Sequence, residues 1–547
     1  MAIWDEIKTQ FQGEILTDWD TRHAYSRDAS IFEMTPACVA RPKNVQDLKT
    51  LVNWVAKNKS RHPELSITAR AAGTDMSGGA INDSIIADMA AHFGRIEMFG
   101  PDYAVVRPGV FYHDFEAESL KRNLLLPCHP ASKALTTLGG MAANNSGGGK
   151  SFIYGQAKDY IEEIRAVLAD GNEYVFGELD NSQLEQKLRL PGFEGELYRG
   201  VFRLLRDNYE LLQKARPKTL GNASGYLLWE VWDKNTFNLA RLFAGSQGTL
   251  GIITQIKYRL VRPKAFSELA IIKLHSLARL GEAVACLCNY YPDSLEGFDR
   301  QVLKAMLRFL PDLSKRMGGS RLKNLQAFMP EILDKLAGAL PKMLLLAEFA
   351  GNSREEVLEK MVLLEKELYS KFRVRAKFAA GEREMEKYRI LRQENLNLLR
   401  QRGKKEFAVS FIDDVIVPPA VLEEFLPRLE AVLGQYPKLK YAITGQLGDG
   451  NLHILPLVDF NNPRHRAIIP HLSQKVYDLV LAFGGSLSAQ HNDGLMRTPF
   501  LEKMYGREVV MLFAEIKRIF DPQNIFNPGK KTGLNLAQAM GHMKRSA

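Results

Sequence analysis

The chain has 547 residues, of which 46% are apolar and 25% are charged. This length exceeds what one hydrophobic core usually supports, and the composition excludes a disordered chain. The net charge of +10 is modest and spread along the chain, and no basic stretch is interleaved with aromatic residues, so we expect no nucleic-acid partner.

Cysteine usage and the N-terminus limit the choice of compartment. The four cysteines include no CxxC pair, which argues against an iron–sulfur cluster or a zinc ribbon and suits a reducing compartment. The N-terminus "MAIWDEIKTQF" has charges of both signs and lacks the apolar segment of a signal peptide. No apolar run approaches the ~20 residues that a membrane-spanning helix needs. We therefore expect a cytoplasmic protein, and peripheral contact with the inner face of the membrane stays open.

The region up to residue 262 alternates strand and helix patterns. Apolar residues behind Asn44 in "NVQDLKTLVNWVAKNK" share one helical face, which predicts a helix capped by that asparagine. The strand-like runs "LSITARA" and "SIIADMA" follow, with a Gly-rich loop between them. Next come a strand in "YAVVRPGV", a helix in "DFEAESLKRNL", a hairpin turning at Asp170-Gly171 and a strand in "GIITQIKYRLV". This order predicts an α/β nucleotide-binding subdomain.

From residue 263 to about 490 the pattern changes to α+β, which predicts a second domain. The segments "LEKMVLLEKELYSKF" and "VLEEFLPRLEAVLGQY" are typical of amphipathic helices. The stretch 300–342 is a basic amphipathic insertion in which lysines and arginines alternate with leucines and methionines. Its basic residues are Arg300, Lys304, Arg308, Lys315, Arg316, Arg321, Lys323, Lys335 and Lys342. Two interpretations stay open: contact with an anionic membrane surface, or an ordinary solvated helix pair.

Two short polar clusters stand out near the end of this second domain. The segment "TGQLGDGNLH" predicts a tight hairpin, and pairing of Leu447 with Leu452 would place Gln446 beside His453 on one face. Gln490 and His491 follow in "SAQHNDG". Two imidazoles accompanied by two amides suit a small polar ligand, because carboxylates or more imidazoles would hold a metal far better.

Three Gly-rich elements have the chemistry of a phosphate-binding cradle. They are "RAAGTDMSGGA", "LPCHPASKALTTLGGMAANNSGGG" and "GSQGTLGIIT". Glycines let a backbone approach phosphate closely, and exposed amides and hydroxyls donate to it. The tail "NNSGGGKS" fails as a Walker A loop because Asn144 occupies the place of the first glycine, so we do not expect ATP. No strand-linked GxGxxG is present, which argues against a nicotinamide cofactor.

These three elements, in this order, resemble the FAD-binding domain of the vanillyl-alcohol oxidase type flavoproteins. With "GQLGDGNLH", "SAQHNDGLMR" and "FDPQNIFNPGK", nearly the whole chain is similar to the D-lactate, glycolate and D-2-hydroxyglutarate dehydrogenase branch. The resemblance implies an α+β fold with a split FAD-binding domain of two α/β subdomains and an α+β substrate cap. It places the FAD domain at 1–262, the cap at 263–490, and at 491–547 a C-terminal segment that returns to the FAD domain.

The resemblance also implies the FAD contacts. They fall on Arg70, Gly73, Thr74, Asp75, Ser77, Gly78, Gly79, Pro127, Ser132, Thr137, Gly139, Gly140, Asn144, Asn145, Gly147, Gly248, Ile253 and Asn527. The chain departs from the family pattern at Ala71, where a glycine is usual, and at Gln247, where a glutamate is usual. Thr74 takes the place of the histidine that is linked to the flavin in some relatives, so we expect noncovalent FAD.

The most consequential departure concerns the metal. The branch typically offers two imidazoles and one carboxylate to a divalent ion, whereas here the corresponding positions are Gln446, His453 and Gln490. Amides bind zinc poorly, so we expect no metal and expect the amides to hydrogen-bond the substrate.

The reaction implied by the resemblance is oxidation of a D-2-hydroxy acid, lactate-like, to the 2-keto acid by hydride transfer to FAD. Arg392 and Asn451 are expected to hold the substrate carboxylate, and His491 to act as general base. Interior histidines, and a solvated helix arginine at position 392, are the competing interpretations.

Electrons would pass to a quinone, a cytochrome or an electron-transfer protein. Formation of a homodimer is also compatible with the sequence. The alternatives are a flavoprotein of the same fold with another reaction, such as an oxidase or an alkyl-glycerone-phosphate synthase relative, or a flavin subunit of a larger complex.

Overall fold

The structure is a computed structural model that describes residues 3–316, 324, 326–379, 381–400 and 406–545. Three sheets organise it. The first has four strands in the order β1-β2-β4-β3. Its strands are β1 (Glu14–Leu16), β2 (Cys38–Arg41), β3 (Ile67–Arg70) and β4 (Ile85–Asp88). The pairs β2·β4 and β3·β4 are parallel, and the helix Val45–Asn58 connects β2 to β3.

The helix Val45–Asn58 forms as its sequence predicts. The Asn44 side chain accepts the backbone N–H of Asp47 at 3.0 Å and caps the first turn. Leu48, Leu51 and Val55 are buried on one face, which packs into the core of the first sheet. The helix therefore fixes the strand end from which the first Gly-rich loop departs.

The second sheet has six antiparallel strands in the order β5-β6-β10-β7-β8-β9. They are β5 (Ile96–Phe99), β6 (Tyr103–Val106), β7 (Ile161–Val167), β8 (Glu173–Asp180), β9 (Thr236–Asn238) and β10 (Ile252–Arg259). The predicted hairpin at Asp170-Gly171 is confirmed, since β7 and β8 pair around it. Together the first two sheets carry all three Gly-rich loops.

The third sheet is antiparallel and has the order β14-β11-β13-β12-β17-β18-β15, with β16 also pairing β18. Its strands are β11 (Phe266–Leu274), β12 (Ser294–Asp299), β13 (Met343–Gly351), β14 (Ala376–Phe378), β15 (Phe407–Ala408), β16 (Val415–Ile416), β17 (Tyr441–Gln446) and β18 (Asn451–Val458). The predicted helices are present here as Arg354–Phe372 and Leu422–Gly434.

The remaining helices pack around these sheets. They are Ile3–Lys8, Trp19–Ala24, Tyr112–Leu120, Leu138–Asn144, Ser151–Tyr154, Asn181–Leu188, Gly192–Asp207, Tyr209–Ala215, Ala240–Phe243, Leu280–Cys288, Arg300–Arg308, Leu310–Arg316, Met329–Leu336, Glu382–Arg400, Pro463–Ala482, Gly494–Arg497, Leu501–Phe520 and Leu536–Gly541. Among the helices in the described part of the chain, none is long and apolar enough to cross a membrane.

The hairpin of β17 and β18 differs in register from the expected one. Gln446 pairs with Asn451 and Thr444 with His453, so the loop spans 447–450 and Leu447 does not pair with Leu452. The shift is even, and alternate residues share a face, so Gln446 and His453 still lie on the same side as diagonal neighbours.

The C-terminal segment returns to the first sheet. The backbone N–H of Ile67 donates to Ile525 O at 2.6 Å, and that of Asn527 donates to Ile67 O at 2.9 Å. Lys531 is fully buried, and its Nζ lies 2.8 Å from the Asp493 carboxylate. This segment thereby packs beside the Gly-rich loops.

Candidate active site

A cavity of about 1120 Å³ lies between the Gly-rich loops and the third sheet. Most of the predicted FAD contacts line it. These are Arg70, Gly73, Thr74, Asp75, Gly79, Ser132, Thr137, Gly139, Gly140, Asn144, Gly147, Gly248 and Ile253. Of the predicted catalytic residues, Arg392, Gln446, His453, Gln490 and His491 also line it. The cavity is large enough for a dinucleotide together with a small substrate.

Two charged residues, one at the start of the first loop and one in its middle, hold that loop in shape. The Arg70 guanidinium donates to the backbone carbonyls of Tyr25 (3.2 Å), Arg27 (2.8 Å) and Ala80 (3.3 Å). The Asp75 carboxylate accepts the backbone N–H groups of Ser77 (3.0 Å) and Gly79 (2.6 Å). Both side chains therefore shape the wall of the cavity through the backbone.

Gln247, one of the departures from the family pattern, links three segments at the back of this loop. Its Nε2 donates to the Ser77 hydroxyl at 3.0 Å, and its Oε1 accepts the Gly494 N–H at 2.8 Å. Asn527 donates from Nδ2 to the carbonyls of Gly79 (2.8 Å) and Gln247 (2.7 Å). The amides thus hold the first loop, the third loop and the C-terminal segment together.

The second loop opens into the short helix Leu138–Asn144, which Thr137 caps by accepting the Gly140 N–H at 3.2 Å. Gly139 is required by packing, since a Cβ there would lie 2.3 Å from Pro108 Cβ. A Cβ at Gly140 would lie 3.3 Å from Thr137 Oγ1, and Gly248 has a φ of +69°, so both positions favour glycine while their backbone lines the cavity. This glycine-lined, hydroxyl-bearing wall fits FAD.

A few predicted site residues lie behind the wall and support it. They are Ser77, Gly78, Pro127, Asn145, Asn527 and Asn451. Asn145 adopts a left-handed backbone with φ 52° and accepts the Lys158 N–H at 3.0 Å. Asn451 is fully buried, and its Nδ2 donates to Gln446 Oε1 at 2.8 Å and to Asp414 Oδ1 at 3.1 Å. Its side chain therefore holds Gln446 in place and does not reach a bound molecule.

The third sheet presents alternate side chains of four neighbouring strands to the cavity. These are Ser294, Glu296 and Phe298 of β12, Glu348 of β13, Thr444 and Gln446 of β17, and His453 and Leu455 of β18. The registers place Glu296 beside Gln446, and Phe298 beside Thr444. Along β12 the wall therefore changes from the polar Ser294 through the acidic Glu296 to the apolar Phe298.

Arg392, on the helix Glu382–Arg400, lies between two acids on this wall. Its Nε is 2.7 Å from Glu296 and its Nη1 is 2.9 Å from Glu348, while Nη2 donates to the Ser294 hydroxyl at 3.1 Å. Lys150 contacts Glu348 at 3.4 Å. Burial opposes ionisation of Glu348, but the two cations hold its pKa low, at about 2. Arg392 thus faces the cavity with its charge already balanced by the protein.

Asp413 joins the two histidines. Its Oδ1 accepts from His453 Nδ1 at 2.8 Å, and its Oδ2 lies 3.2 Å from His491 Nδ1, with the two rings stacked at 5.4 Å. Burial lowers the pKa of His453, but the attraction of Asp413 outweighs it and raises that pKa to about 9. The same pair of imidazoles holds the pKa of Asp413 well below its usual range, against the effect of burial.

Asp414 and Arg497 position this cluster from behind. The Asp414 carboxylate accepts the backbone N–H groups of Gln490 (2.9 Å) and His491 (2.7 Å). The fully buried Arg497 guanidinium donates to the carbonyls of Asp413 (2.5 Å), Leu487 and Asn492. These bonds fix the turn that presents Gln490 and His491.

Three side chains near the turn 488–492 are candidate ligands for a metal ion. Asp413, His453 and His491 place ligand atoms within 4.8 Å of one another. However, the acceptor oxygens of Asp413 and Gln446 lie 2.8 and 3.2 Å from the two ring nitrogens of His453, so both nitrogens donate protons. A metal would need the lone pair of one of these nitrogens and would have to displace the hydrogen bond that this nitrogen makes. The residues therefore fit a hydrogen-bonded cluster better than a metal site.

Sequence reasoning missed Glu296, Glu348, Asp413 and Asp414. The segment "VSFIDDVIVPP" did carry a signal for the last two, because adjacent acids within an apolar run need buried partners. Glu296 and Glu348 have no comparable local signal, since they reach the cavity only through the pairing of β12 and β13.

Comparisons with known proteins agree with this fold. A family model described as "FAD binding domain" matches residues 36–177, and one described as "FAD linked oxidases, C-terminal domain" matches residues 264–531. The chain is 25% identical over 530 residues to a D-2-hydroxyglutarate dehydrogenase of Pseudomonas putida, covering 95% of this chain and 50% of that protein. It is 25% identical over 527 residues to a D-lactate dehydrogenase of Archaeoglobus fulgidus, covering 92% and 95%.

Solved structures show the same fold. A 4-ethylphenol oxidase from Gulosibacter chungangensis superposes with a TM-score of 0.68 at 14% identity, covering 98% of this chain and 96% of that one. An alkyldihydroxyacetonephosphate synthase superposes with a TM-score of 0.65 at 16% identity, covering 96% and 84%.

Fold and site together define a flavoprotein with an FAD-binding domain and an α+β cap, which confirms the expected fold class and cofactor. The chain carries an FAD binding domain and the C-terminal domain of the FAD linked oxidases, and over more than nine-tenths of its length it is similar to D-2-hydroxyglutarate, glycolate and D-lactate enzymes. It spans about half the length of the first of these relatives.

Proposed function

We propose that the protein is an FAD-dependent dehydrogenase that oxidises a D-2-hydroxy acid to the 2-oxo acid. The observation that carries this proposal is the Asp413–His491 pair on the cavity wall, with Nδ1 of His491 3.2 Å from the carboxylate. With Nδ1 beside an acid, Nε2 is left to take a proton from a bound molecule, as a general base requires. The relatives named above support the substrate class.

In this reaction His491 removes the hydroxyl proton while the carbon–hydrogen bond breaks and the hydroxyl carbon becomes a carbonyl. FAD, held by the three Gly-rich loops, would supply the two-electron acceptor for the hydride, and a quinone, a cytochrome or an electron-transfer protein would be the final acceptor. Asp413 stabilises the imidazolium that forms at His491. The charged His453, held between Asp413 and Gln446, lowers the free energy of negative charge developing on the substrate oxygen.

The substrate carboxylate is held by the N–H groups of Arg392 that Glu296, Glu348 and Ser294 leave uncommitted. Gln446 accepts with Oε1 from both Asn451 and His453, so its amide nitrogen is its donor toward the cavity. This differs from the expectation in one respect, since Asn451 acts through Gln446. FAD is held by the three Gly-rich loops without a covalent link, because Thr74 offers no attachment point for the flavin ring.

The test is anaerobic reduction of the purified flavoprotein by a panel of D-2-hydroxy acids, followed by flavin absorbance. We expect bleaching by at least one acid without any partner protein. His491→Ala should slow it on the order of 10² to 10⁴-fold, the usual contribution of a positioned base. The exposed His113 provides the control, and His113→Ala should leave the rate unchanged. Bleaching at the same rate by His491→Ala would contradict the assigned base.

Activity without a metal is a separate expectation. Because both nitrogens of His453 donate to oxygens, chelator treatment should leave the rate of flavin reduction unchanged. Elemental analysis that found one divalent ion per chain, together with activity lost on chelation and restored by that ion, would overturn this arrangement.

The two alternative functions on this fold, an oxidase and a flavin subunit of a larger complex, predict different results in the same experiment. An oxidase would show the bleached flavin reoxidising rapidly when air is admitted. A flavin subunit of a larger complex would show no bleaching until its partner is added.

A further inference from the structure

Among the described residues, four cations that line the cavity near the third sheet are each paired with an acid of the protein. Lys150 contacts Glu348 at 3.4 Å and Arg389 contacts Glu386 at 2.5 Å. Arg392 is held by Glu296 and Glu348, and His453 by Asp413. The wall therefore has almost no net charge before a substrate enters, although it is rich in charged groups.

Two of those acids lie on the cavity wall itself. Glu296 and Glu348 face the cavity from β12 and β13, and their side chains are only 14% and 17% exposed. A carboxylate of a bound molecule placed beside them would meet like charges in a poorly solvated site, where repulsion is much stronger than in water. Burial raises the pKa of Glu296, whereas Arg392 and Lys150 keep Glu348 ionised.

Beyond the acids the wall becomes apolar. Phe298 and Leu455 line the cavity next to Thr444, and none of the three carries a charge. A short uncharged side chain of a substrate would be accommodated there with its apolar surface removed from water. None of these three residues offers a cation that would offset the loss of hydration of a second carboxylate.

We infer that the substrate is a 2-hydroxy acid with a single carboxylate and a small uncharged side chain, and that Glu296 and Glu348 exclude acids with a second carboxylate. This inference rests on the proposed function and narrows it. It separates lactate-like acids from 2-hydroxyglutarate, which are both represented by the names of the relatives. Glu296 and Glu348 are thereby specificity-determining residues: the substrate's one carboxylate takes the N–H groups of Arg392 that remain uncommitted, whereas Arg392 and Lys150 only offset the charges of the two acids and leave no cation for a second carboxylate.

The test compares the binding of two 2-oxo products, pyruvate and 2-oxoglutarate, to the oxidised holoenzyme, measured by the change in flavin absorbance. The rates of flavin reduction by D-lactate and by D-2-hydroxyglutarate are measured in parallel. We expect pyruvate to bind at least tenfold more tightly than 2-oxoglutarate. In Glu296→Gln, and separately in Glu348→Gln, the ratio of the two dissociation constants should fall at least tenfold. Glu268→Gln on β11, which is away from the cavity and contacts Arg354, is the matched control and should keep the wild-type ratio.

The outcomes separate this inference from the proposed function. If wild-type protein binds 2-oxoglutarate as tightly as pyruvate, or if neither glutamine variant changes the ratio, the inference is overturned while the dehydrogenase proposal stands. If no 2-oxo acid perturbs the flavin and no 2-hydroxy acid reduces it, the dehydrogenase proposal falls and takes the inference with it. Using two glutamine variants guards against one of them failing to fold.

Discussion

At the scale of single residues, the site depends on how Asp413 divides its charge between two imidazoles. His453 has acceptors at both ring nitrogens and is held as a cation, whereas His491 has one nitrogen beside the carboxylate and one available for proton transfer. Two chemically identical side chains therefore receive different roles from their neighbours. Amides at positions 446 and 490 are compatible with this division, because they add no competing charge.

The raised pKa of His453 makes a pH-dependent contribution to stability. The folded value of about 9 exceeds the ordinary value of 6.5, so the contribution is complete below pH 6.5 and is lost as pH rises through 9. We expect His453→Gln to flatten the fall in melting temperature between pH 7 and pH 9.5. Thermal melts of the holoenzyme at matched ionic strength measure this fall in melting temperature. Other groups also titrate in this range, such as Lys530, whose pKa is about 8. Subtracting the curve of the variant from that of the wild type removes their contribution. Parallel curves would contradict the assigned charge on His453.

At the scale of elements, the turn at 488–492 matters more than its length suggests. It is bound to the cap through Asp414 and Arg497, and to the Gly-rich loops through Asn144, whose Nδ2 donates to Gln490 O at 3.3 Å. In the other direction, Asn492 Nδ2 donates to Asn144 O at 3.2 Å. The turn therefore holds the base in a fixed position relative to both walls of the cavity.

Asp414→Asn tests this positioning. The asparagine keeps the shape but removes the charge that accepts the N–H groups of Gln490 and His491, so we expect a loss of about 1.5–3 kcal/mol in the free energy of unfolding. Flavin reduction should slow at saturating substrate, with little change in KM, because the base is displaced while the binding groups stay.

The control for this variant is Asp233→Asn. Asp233 is exposed and accepts two backbone N–H groups of a turn far from the cavity. It should cost some stability and leave the rate of flavin reduction unchanged. A rate that falls equally in both variants would show that Asp414 acts on stability alone.

At the scale of the whole molecule, the basic stretch 300–342 presents a surface that the site does not use. The helix Met329–Leu336 exposes Met329, Leu333 and Leu336 at 40%, 57% and 79%, a spacing that puts them on one face. Its opposite side is fixed by the buried Glu331, whose carboxylate lies 3.0 Å from Lys387 Nζ. Lys335 and Lys342 are exposed nearby, while Arg321 and Lys323 lie outside the described residues.

Two interpretations of this surface stay open: an ordinary solvated helix, or contact with an anionic membrane, which would bring reduced flavin close to a membrane quinone and is the one that can be tested directly. Each lysine or arginine near an anionic leaflet contributes about 1 kcal/mol. We expect co-sedimentation with vesicles that contain an anionic lipid, weakening as salt is added, and abolished by Leu333→Glu with Leu336→Glu. Leu220 is equally exposed elsewhere at 66%, so Leu220→Glu should bind like wild type. Binding that is absent at low salt would leave the solvated-helix interpretation.

The sequence by itself determined the local parts of this protein. The helix behind Asn44, the hairpin at Asp170-Gly171 and the glycine-rich loops depend on capping, turn chemistry and close backbone approach, which act between near neighbours. The combination of motifs also predicted the cofactor and singled out His453 and His491 as candidate site residues.

Only the tertiary structure decided the charge balance of the site. The register of β17 and β18 differs by an even shift from the expected one, because the neighbouring strands β12 and β16 and the buried Asn451 select it. Glu296, Glu348 and Asp413 reach the cavity from three separate segments. Their effect on Arg392 and His453 falls off with distance in space and is independent of separation along the chain, so no local pattern could reveal it.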